Sequence, residues 1–213
     1  MTDAVVQILL RERVIAILRR MRSPRVEAIV DALCGAGLTC IEITFESDGA
    51  ADALGSLHAR FGDRVHLGAG SIRTAAQAQD AVHAGARYLI SPGLFEEVSA
   101  FARARSVLYI PGVLSATEIG TALGWGHRIQ KLFPAGLMGP DYLKAMRAPY
   151  PDAQFFAVGN IGVEDVPVYL QAGAVGVAMG SQLVSGDDTP DAIAKKAAAV
   201  VGSIGSIQPN LAR

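Results

Sequence analysis

Cysteine is scarce in this sequence, since its 213 residues include only Cys34 and Cys40. The two thiols do not form a C-x-x-C pair or another spacing typical of metal ligands. The sequence therefore predicts neither a disulfide framework nor a zinc site. The four histidines also lack ligand spacings such as H-x-H, so we expect structural histidines, buried thiols, no metal and no cofactor.

Long apolar runs and an excess of one charge are also missing. No stretch reaches the ~18 apolar residues of a membrane span, and the start of the chain is acidic and has no signal-peptide cleavage site. The 19 basic and 20 acidic residues give a net charge of -1. This balance argues against nucleic-acid and membrane partners. We expect a cytoplasmic protein, a single domain over residues 1–213, that acts on a small molecule.

Short apolar runs rich in β-branched residues alternate with alanine-rich stretches that have helical spacing. This alternation is typical of repeated βαβ units. The 51% apolar content is sufficient for a sizeable core. The pattern predicts eight strands, over Val14–Leu18, Thr39–Thr44, Val65–Ala69, Arg87–Ser91, Val107–Pro111, Arg128–Phe133, Gln154–Val158 and Val175–Met179.

A weak internal repeat supports this pattern. The segments CGAGLTCIEI, VHAGARYLI and QAGAVGVAM each contain an Ala-Gly pair before a predicted strand. Glycine suits the end of the preceding helix, because that end commonly closes in a left-handed conformation. Eight parallel strands with intervening helices can form either a closed barrel or an open doubly wound sheet.

Two features favour the closed form. The first strand is followed by ILRRMRSP, whereas a dinucleotide-binding open sheet would have G-x-G-x-x-G there. Several strands end in polar or glycine residues, and in a barrel these ends share one mouth, where active sites lie. We therefore expect an α/β fold, a (β/α)8 TIM barrel, with an extra helix over Met1–Glu12 and a loose tail over Ser206–Arg213.

Lys131 is the only one of the four lysines that falls in a predicted strand. Strand alternation places it on one face with Ile129 and Phe133. A closed barrel has no free edge, so this side chain must point into the barrel or its mouth. Desolvation there would lower its pKa and give a neutral amine able to attack a ketone. The structural alternative is a buried lysine that only pairs with a carboxylate.

Glu42 lies in the second predicted strand, TCIEITFES, between apolar neighbours. A carboxyl group in a partly apolar site has a raised pKa and can transfer protons near neutral pH. Such transfers are needed when a lysine and a ketone form an imine and when a carbon–carbon bond is cleaved. The structural alternative is that Glu42 is only the ion-pair partner of Lys131.

The seventh and eighth predicted strands end in glycine turns, Gly159-Asn160 and Gly180-Ser181, each expected to lead to a helix or helical turn. Barrels often bind phosphate at this place through backbone N–H groups. Arg19, at the end of the adjacent first strand, can add a charged hydrogen bond to the same anion. The alternatives are ordinary turns and a solvated arginine loop.

Small residues end the third strand in the segment Gly68-Ala69-Gly70-Ser71. Such residues allow a substrate to approach the backbone closely, and the Ser71 hydroxyl is suited to bind a carboxylate. Alternatively Ser71 is a helix N-cap, a role that Thr74 also fits. Pro92 follows the fourth strand and is expected to fix the shape of its loop.

The motifs IEITFES, GAGS, SPG, KLFPA, AVGN and MGS together resemble, in order and spacing, the bacterial aldolases for 2-keto-3-deoxy-6-phosphogluconate and 4-hydroxy-2-ketoglutarate, which include a 6-phosphogalactonate branch. The resemblance covers nearly the whole chain, and K-x-F-P-A is its most specific part. It implies a homotrimeric barrel in which Lys131 forms a Schiff base, Glu42 moves protons, Pro92 and Phe133 contact substrate, and pyruvate and an aldehyde are released.

This sequence departs from that family at three positions. Glu46 stands where the family usually has arginine or asparagine, so either Glu46 turns away from the keto-acid carboxylate or the substrate differs. Ser71 replaces threonine but keeps the hydroxyl, and Asn160 replaces glycine but tolerates left-handed backbone. Two other functions stay open at this point, a phosphosugar isomerase or decarboxylase with Lys131 as an electrostatic group, and a non-catalytic barrel that binds a sugar acid.

Overall fold

A computed structural model describes residues 2–19, 25–46 and 49–205. Every strand pair in its single sheet is parallel. The strands follow the order β5-β4-β3-β2-β1-β9-β8-β7-β6. Their bounds are β1 Val14–Leu18, β2 Cys40–Thr44, β3 His66–Gly70, β4 Tyr88–Ile90, β5 Leu108–Ile110, β6 Gly112–Val113, β7 Ile129–Leu132, β8 Gln154–Val158 and β9 Gly176–Met179.

Helices follow the strands and cover the outer face of the sheet. Beyond these, a short 3-10 helix spans Gly62–Arg64. The predicted N-terminal helix is present, while Met1 and the predicted tail over 206–213 lie outside the described residues. The helices are α1 Thr2–Glu12, α2 Arg25–Gly35, α3 Ala50–Phe61, α4 Ala75–His83, α5 Glu96–Arg105, α6 Ala116–Gly124, α7 Ala135–Met138, α8 Pro140–Arg147, α9 Val166–Gln171 and α10 Pro190–Gly205.

The fifth predicted strand, over Val107–Pro111, is observed as β5, and Pro111 separates it from the two-residue segment β6, which was not predicted. This gives nine strand segments where the sequence predicts eight. Proline has no N–H to donate to the ladder, so a strand is interrupted there. The Pro111 carbonyl still accepts a hydrogen bond of 2.9 Å from the Lys131 N–H. Because β5 pairs with β4 and β6 pairs with β7, the two segments join the ends of the sheet and close the barrel.

Strand alternation divides the core into two layers. One layer fills the barrel and contains Ile15, Tyr88 and Phe156. The other layer lies between the sheet and the helices, and it includes Ala16 and Phe155. The pattern that predicts the strands therefore also decides which side chains point toward the barrel axis.

Helix α1 covers the end of the barrel where the strands begin. Its Val5 and Leu9 are buried in the same cluster as Ile15 and Ile129, which are interior residues near the starts of β1 and β7. The amphipathic helix thus excludes water from that end. The opposite end, where the strands finish, is left for a site.

The glycine repeat has the conformation that the sequence predicts. Gly37, Gly85 and Gly173 have φ values of 86°, 104° and 102°, so each ends its helix in a region that side chains disfavour. Each is followed closely by β2, β4 or β9. In the part of the chain that the structure describes, no helix is long and apolar enough to cross a membrane.

Candidate active site

Lys131 projects into the barrel from β7. It lies in register with Gly112 on β6 and Phe156 on β8, and only 7% of it is exposed. Its Nζ lies 4.9 Å from the centroid of the Phe133 ring. The sequence-based prediction that this lysine faces the barrel and its mouth is confirmed by these contacts.

Glu42 projects from β2 and is 1% exposed. Its Oε2 atom is buried and has no hydrogen-bond partner among the residues that the structure describes. A buried carboxyl oxygen without a partner is costly in an ordinary core, which makes a role beyond packing the better explanation. A Cβ atom built on Gly70 would lie only 1.6 Å from Glu42 Oε1, so the carboxyl group rests directly on the glycine.

The two buried groups perturb each other. Burial raises the pKa of Glu42, and this effect is opposed by the charges of Lys131 and Arg19 and reinforced by Glu46. Burial lowers the pKa of Lys131, with Glu42 and Glu46 acting in the raising direction and Arg19 in the lowering direction. A lysine shifted toward the neutral amine beside a carboxyl group shifted toward the neutral acid is typical of a catalytic pair.

Both groups line a single cavity of about 470 Å³ at the ends of the strands. This volume suits a small organic acid. The cavity brings together eight of the predicted site residues, which are Arg19, Glu42, Lys131, Phe133, Gly159, Asn160, Gly180 and Ser181.

The loops after β8 and β9 form the side of the cavity next to β1. Gly159 and Asn160 have φ values of 99° and 55°. Asn160 therefore has the left-handed conformation that asparagine tolerates. The Gly180 carbonyl accepts hydrogen bonds from Leu183 and Val184, at 2.9 and 2.8 Å. This is the predicted helical turn, although helices α9 and α10 begin only several residues later.

Ser71 and Pro92 are not among the residues that line the cavity. Ser71 directly follows β3 and itself has a left-handed backbone conformation, with a φ of 59°. The helix cap is supplied by Thr74, whose Oγ1 accepts a hydrogen bond of 3.2 Å from the Gln77 N–H. Pro92 is exposed, and its carbonyl packs closely against Gly112. A substrate contact by either residue stays a prediction.

The space above the glycines of β3 is already filled, contrary to the expectation that it admits substrate. A Cβ on Gly68 would lie 2.0 Å from the Tyr88 ring, and a Cβ on Gly70 would meet Glu42. Long side chains from neighbouring strands occupy these positions because they pack against the bare backbone. The glycines therefore support the side chains of the site.

Glu46 pairs with Arg19, with 3.1 Å between Arg19 Nε and Glu46 Oε1. Arg19 lines the cavity and Glu46 does not. The first of the two sequence-based alternatives, in which Glu46 turns away from the keto-acid site, is therefore the one that fits the structure.

Several lining residues were not predicted from the sequence. Gln182 is the most polar of them, and its Nε2 donates to Asn160 Oδ1 over 3.3 Å. Its place directly after the MGS motif is a signal that the sequence carries. The apolar wall has no such signal, because ordinary core side chains of the barrel form it. The remaining lining residues are Ile17, Val158, Ile161, Ala178, Met179, Val184, Ser185 and Gly186.

In the part of the chain that the structure describes, no group of three or more His, Cys, Asp or Glu side chains is placed so that it could hold a metal ion.

His127 illustrates the structural role expected for histidine. Its Nε2 lies 2.7 Å from Ser99 Oγ, and burial lowers its pKa to about 4. It thus stays neutral within the packing between α5 and β7.

Known proteins with related sequences are sugar-acid aldolases. The chain is 32% identical over 188 residues to the 2-dehydro-3-deoxy-6-phosphogalactonate aldolase of Escherichia coli. The aligned residues cover 88% of this chain and 92% of the relative. It is 36% identical over 175 residues to the 2-dehydro-3-deoxy-phosphogluconate aldolase of Treponema pallidum, covering 82% and 83%.

A solved structure of the same kind is also similar. It is the KDPG aldolase of Legionella pneumophila, crystallised with pyruvate captured as a covalent carbinolamine intermediate. The TM-score is 0.84 at 28% identity, and the match covers 92% of this chain and 97% of that one. Residues 5–199 match the family model for KDPG and KHG aldolases. Together with the barrel and its buried lysine and glutamate, these similarities show that the chain belongs to the KDPG and KHG aldolase family, and so to the carbon–carbon lyases.

Proposed function

We propose that this class I aldolase cleaves a 2-keto-3-deoxy sugar acid, or 4-hydroxy-2-ketoglutarate, to pyruvate and an aldehyde. In this proposal the nucleophile is Lys131 and the proton-transfer group is Glu42. The observation that carries the residue assignment is the burial of both groups in one cavity, with pKa values displaced toward the neutral amine and the neutral acid. The carbinolamine in the Legionella aldolase supports a covalent route.

The reaction begins when the neutral Lys131 amine adds to the keto carbon. Protonation of the resulting hydroxyl group releases water and leaves an iminium ion. This positive group accepts the electron pair of the C3–C4 bond as the C4 hydroxyl loses its proton, so the aldehyde departs and an enamine remains. Protonation of the enamine carbon and hydrolysis of the imine then release pyruvate and regenerate the amine.

Glu42 is suited to the proton transfers in this sequence. Burial raises the pKa of this carboxyl group, so it is suited to donate a proton to the carbinolamine hydroxyl and later to accept one from the C4 hydroxyl. Its Oε2, which has no hydrogen-bond partner within residues 2–19, 25–46 and 49–205, can do so without breaking a hydrogen bond to these residues.

Reductive trapping tests the nucleophile. The protein is incubated with pyruvate and borohydride, digested, and the modified peptide is identified by mass. We expect one label, on Lys131, and no label in Lys131→Met. Lys144 is an internal control, because it is an exposed lysine paired with Asp141. A label on Lys144, or none at all, would contradict the Schiff-base assignment and favour an isomerase or decarboxylase.

A homotrimer and a cytoplasmic location are also part of the proposal, and the family resemblance supports the trimer. Exposed apolar side chains at Leu137, Met138 and Val168 provide surface of the kind that subunit contacts bury. Light scattering after gel filtration tests the oligomer, since a trimer has three times the chain mass of 22.2 kDa.

A further inference from the structure

The strand order defines which charges surround the part of the cavity formed by the ends of β8, β9 and β1. Proceeding from β7, the cavity wall passes through β8, β9 and β1 before it reaches β2. The residues of the loops after β8 and β9 that line the cavity contribute glycine backbone and neutral side chains. Arg19, at the end of β1, and Lys131 are the described cations of the cavity lining. Outside the lining, Arg25 donates to the Gly186 carbonyl in the loop after β9.

Glu46 balances the charge of Arg19. Their side chains approach to 3.1 Å, and their exposed fractions are 58% for Arg19 and 27% for Glu46. A pair exposed to this degree contributes little to folding stability. The pair matters more for ligand binding than for stability, because the Glu46 carboxylate cancels most of the attraction that Arg19 exerts on a nearby anion.

Neutral polar groups line the cavity beside this pair. Asn160, Ser181 and Gln182 line the cavity, and Gln182 already donates to Asn160. Amide and hydroxyl groups both donate and accept hydrogen bonds, which suits sugar hydroxyls. A phosphate monoester would instead bring a charge of about -1.5 to -2 to a wall where Glu46 offsets the charge of Arg19, the described cation of the lining other than Lys131.

We propose that Glu46 is a specificity-determining residue, which by neutralising Arg19 makes the site favour keto acids with an uncharged, hydroxylated aldehyde half over their phosphorylated counterparts. The inference rests on the proposed aldolase function and adds the class of substrate. Glu46 contacts Arg19 at Nε, and because a guanidinium carries five N–H donors, its other N–H groups are suited to bind hydroxyl oxygens.

Aldol addition provides a matched pair of probes. Pyruvate is condensed with D-glyceraldehyde or with D-glyceraldehyde 3-phosphate, and kcat/KM is measured for each aldehyde. We expect the parent to favour glyceraldehyde. We expect Glu46→Gln to shift the ratio about tenfold toward the phosphate, the size of effect that one nearby charge has on a doubly charged group in a solvated site. Added salt should reduce this shift by screening.

Three variants serve as controls. Glu46→Asp keeps the carboxylate and should retain the parental ratio. Arg19→Gln leaves Glu46 uncompensated and should move the ratio further against the phosphate. Asp63→Asn removes a carboxylate that pairs with Arg87 just before β3, at the opposite end of the barrel, and should leave the ratio unchanged.

The outcomes separate this inference from the proposed function. If pyruvate and borohydride label Lys131 but the parent favours the phosphate, or Glu46→Gln leaves the ratio unchanged, the specificity role of Glu46 is overturned and the aldolase assignment stands. If Lys131 is not labelled, both are overturned.

Discussion

The Glu42 carboxyl group occupies the space that a side chain at Gly70 would need, with Oε1 only 1.6 Å and Cδ 2.3 Å from an ideal Cβ position. The two residues belong to neighbouring strands, β2 and β3. Because both strands are fixed in the closed sheet, neither backbone can withdraw. Gly70 therefore determines where the carboxyl group of Glu42 lies.

Gly70→Ala should displace Glu42 from its position in the cavity. We expect kcat for pyruvate release to fall about tenfold or more, the loss expected when a general acid or base is misplaced. Overpacking should also destabilise the fold by about 1–3 kcal/mol. Steady-state kinetics and thermal unfolding measure the two effects.

Gly202→Ala is the matched control for this substitution. Gly202 lies within α10, and among the described residues no atom beyond its chain neighbours and its own helix backbone lies within 4 Å of its Cβ position. Alanine should therefore stabilise the helix by about 0.5–1 kcal/mol and leave kcat unchanged. A parental kcat in Gly70→Ala would show that the position of Glu42 is irrelevant to catalysis.

The pH dependence of imine formation should follow the ionisation of Lys131. Only the neutral amine attacks the ketone, so the rate should rise with pH, with its midpoint at the pKa of the lysine and a plateau above it. Burial lowers this pKa from its usual 10.5. Rapid-mixing measurements with pyruvate over a pH series give the midpoint. A midpoint at or above 10.5 would contradict the burial argument.

Two substitutions should move that midpoint in opposite directions. The Glu42 carboxylate raises the pKa of Lys131 and the Arg19 guanidinium lowers it. Glu42→Gln should therefore shift the midpoint to lower pH, and Arg19→Gln should shift it to higher pH. The midpoints are compared rather than the rates, since Glu42→Gln should also slow turnover by roughly 10² or more. Shifts of the same sign in both variants would refute this electrostatic account.

Asn160 should tolerate glycine better than a β-branched residue. Its φ of 55° is accessible to glycine and asparagine but costs a residue such as valine about 1–2 kcal/mol. We expect Asn160→Gly to keep KM for the keto acid within a few-fold of the parent and Asn160→Val to raise it about tenfold. Equal KM values in the two variants would mean that the backbone conformation of this loop does not contribute to binding.

Activity should not depend on a divalent metal ion. In the proposed mechanism the iminium on Lys131 accepts the electrons that a metal-bound enolate accepts in other aldolases. Treatment with a chelator, followed by a pyruvate-release assay, should show the parental rate. Loss of activity that a divalent ion restores would instead place the enzyme among the metal-dependent aldolases.

The sequence by itself determined the barrel and the direction of its strand side chains. Alternation along β2 and β7 places Glu42 and Lys131 inside, because successive side chains of a strand point to opposite faces whatever surrounds them. The glycines at helix ends were equally readable, since Gly37 and Gly173 satisfy a purely local requirement for positive φ. Side-chain direction along a strand and positive φ at a helix end both depend on neighbours in the chain, so they can be predicted from the sequence.

The tertiary structure decided what depends on distant neighbours. The packing of Glu42 on Gly70 arises from the register of two strands, and the contact between Glu46 and Arg19 joins the ends of β2 and β1. Loop side chains have no alternation rule, which is why Ser71 was assigned to the cavity that it does not line. Strand periodicity fixes which face a residue points to, but only closure of the barrel brings charges from separate strands together and so determines their balance at the mouth.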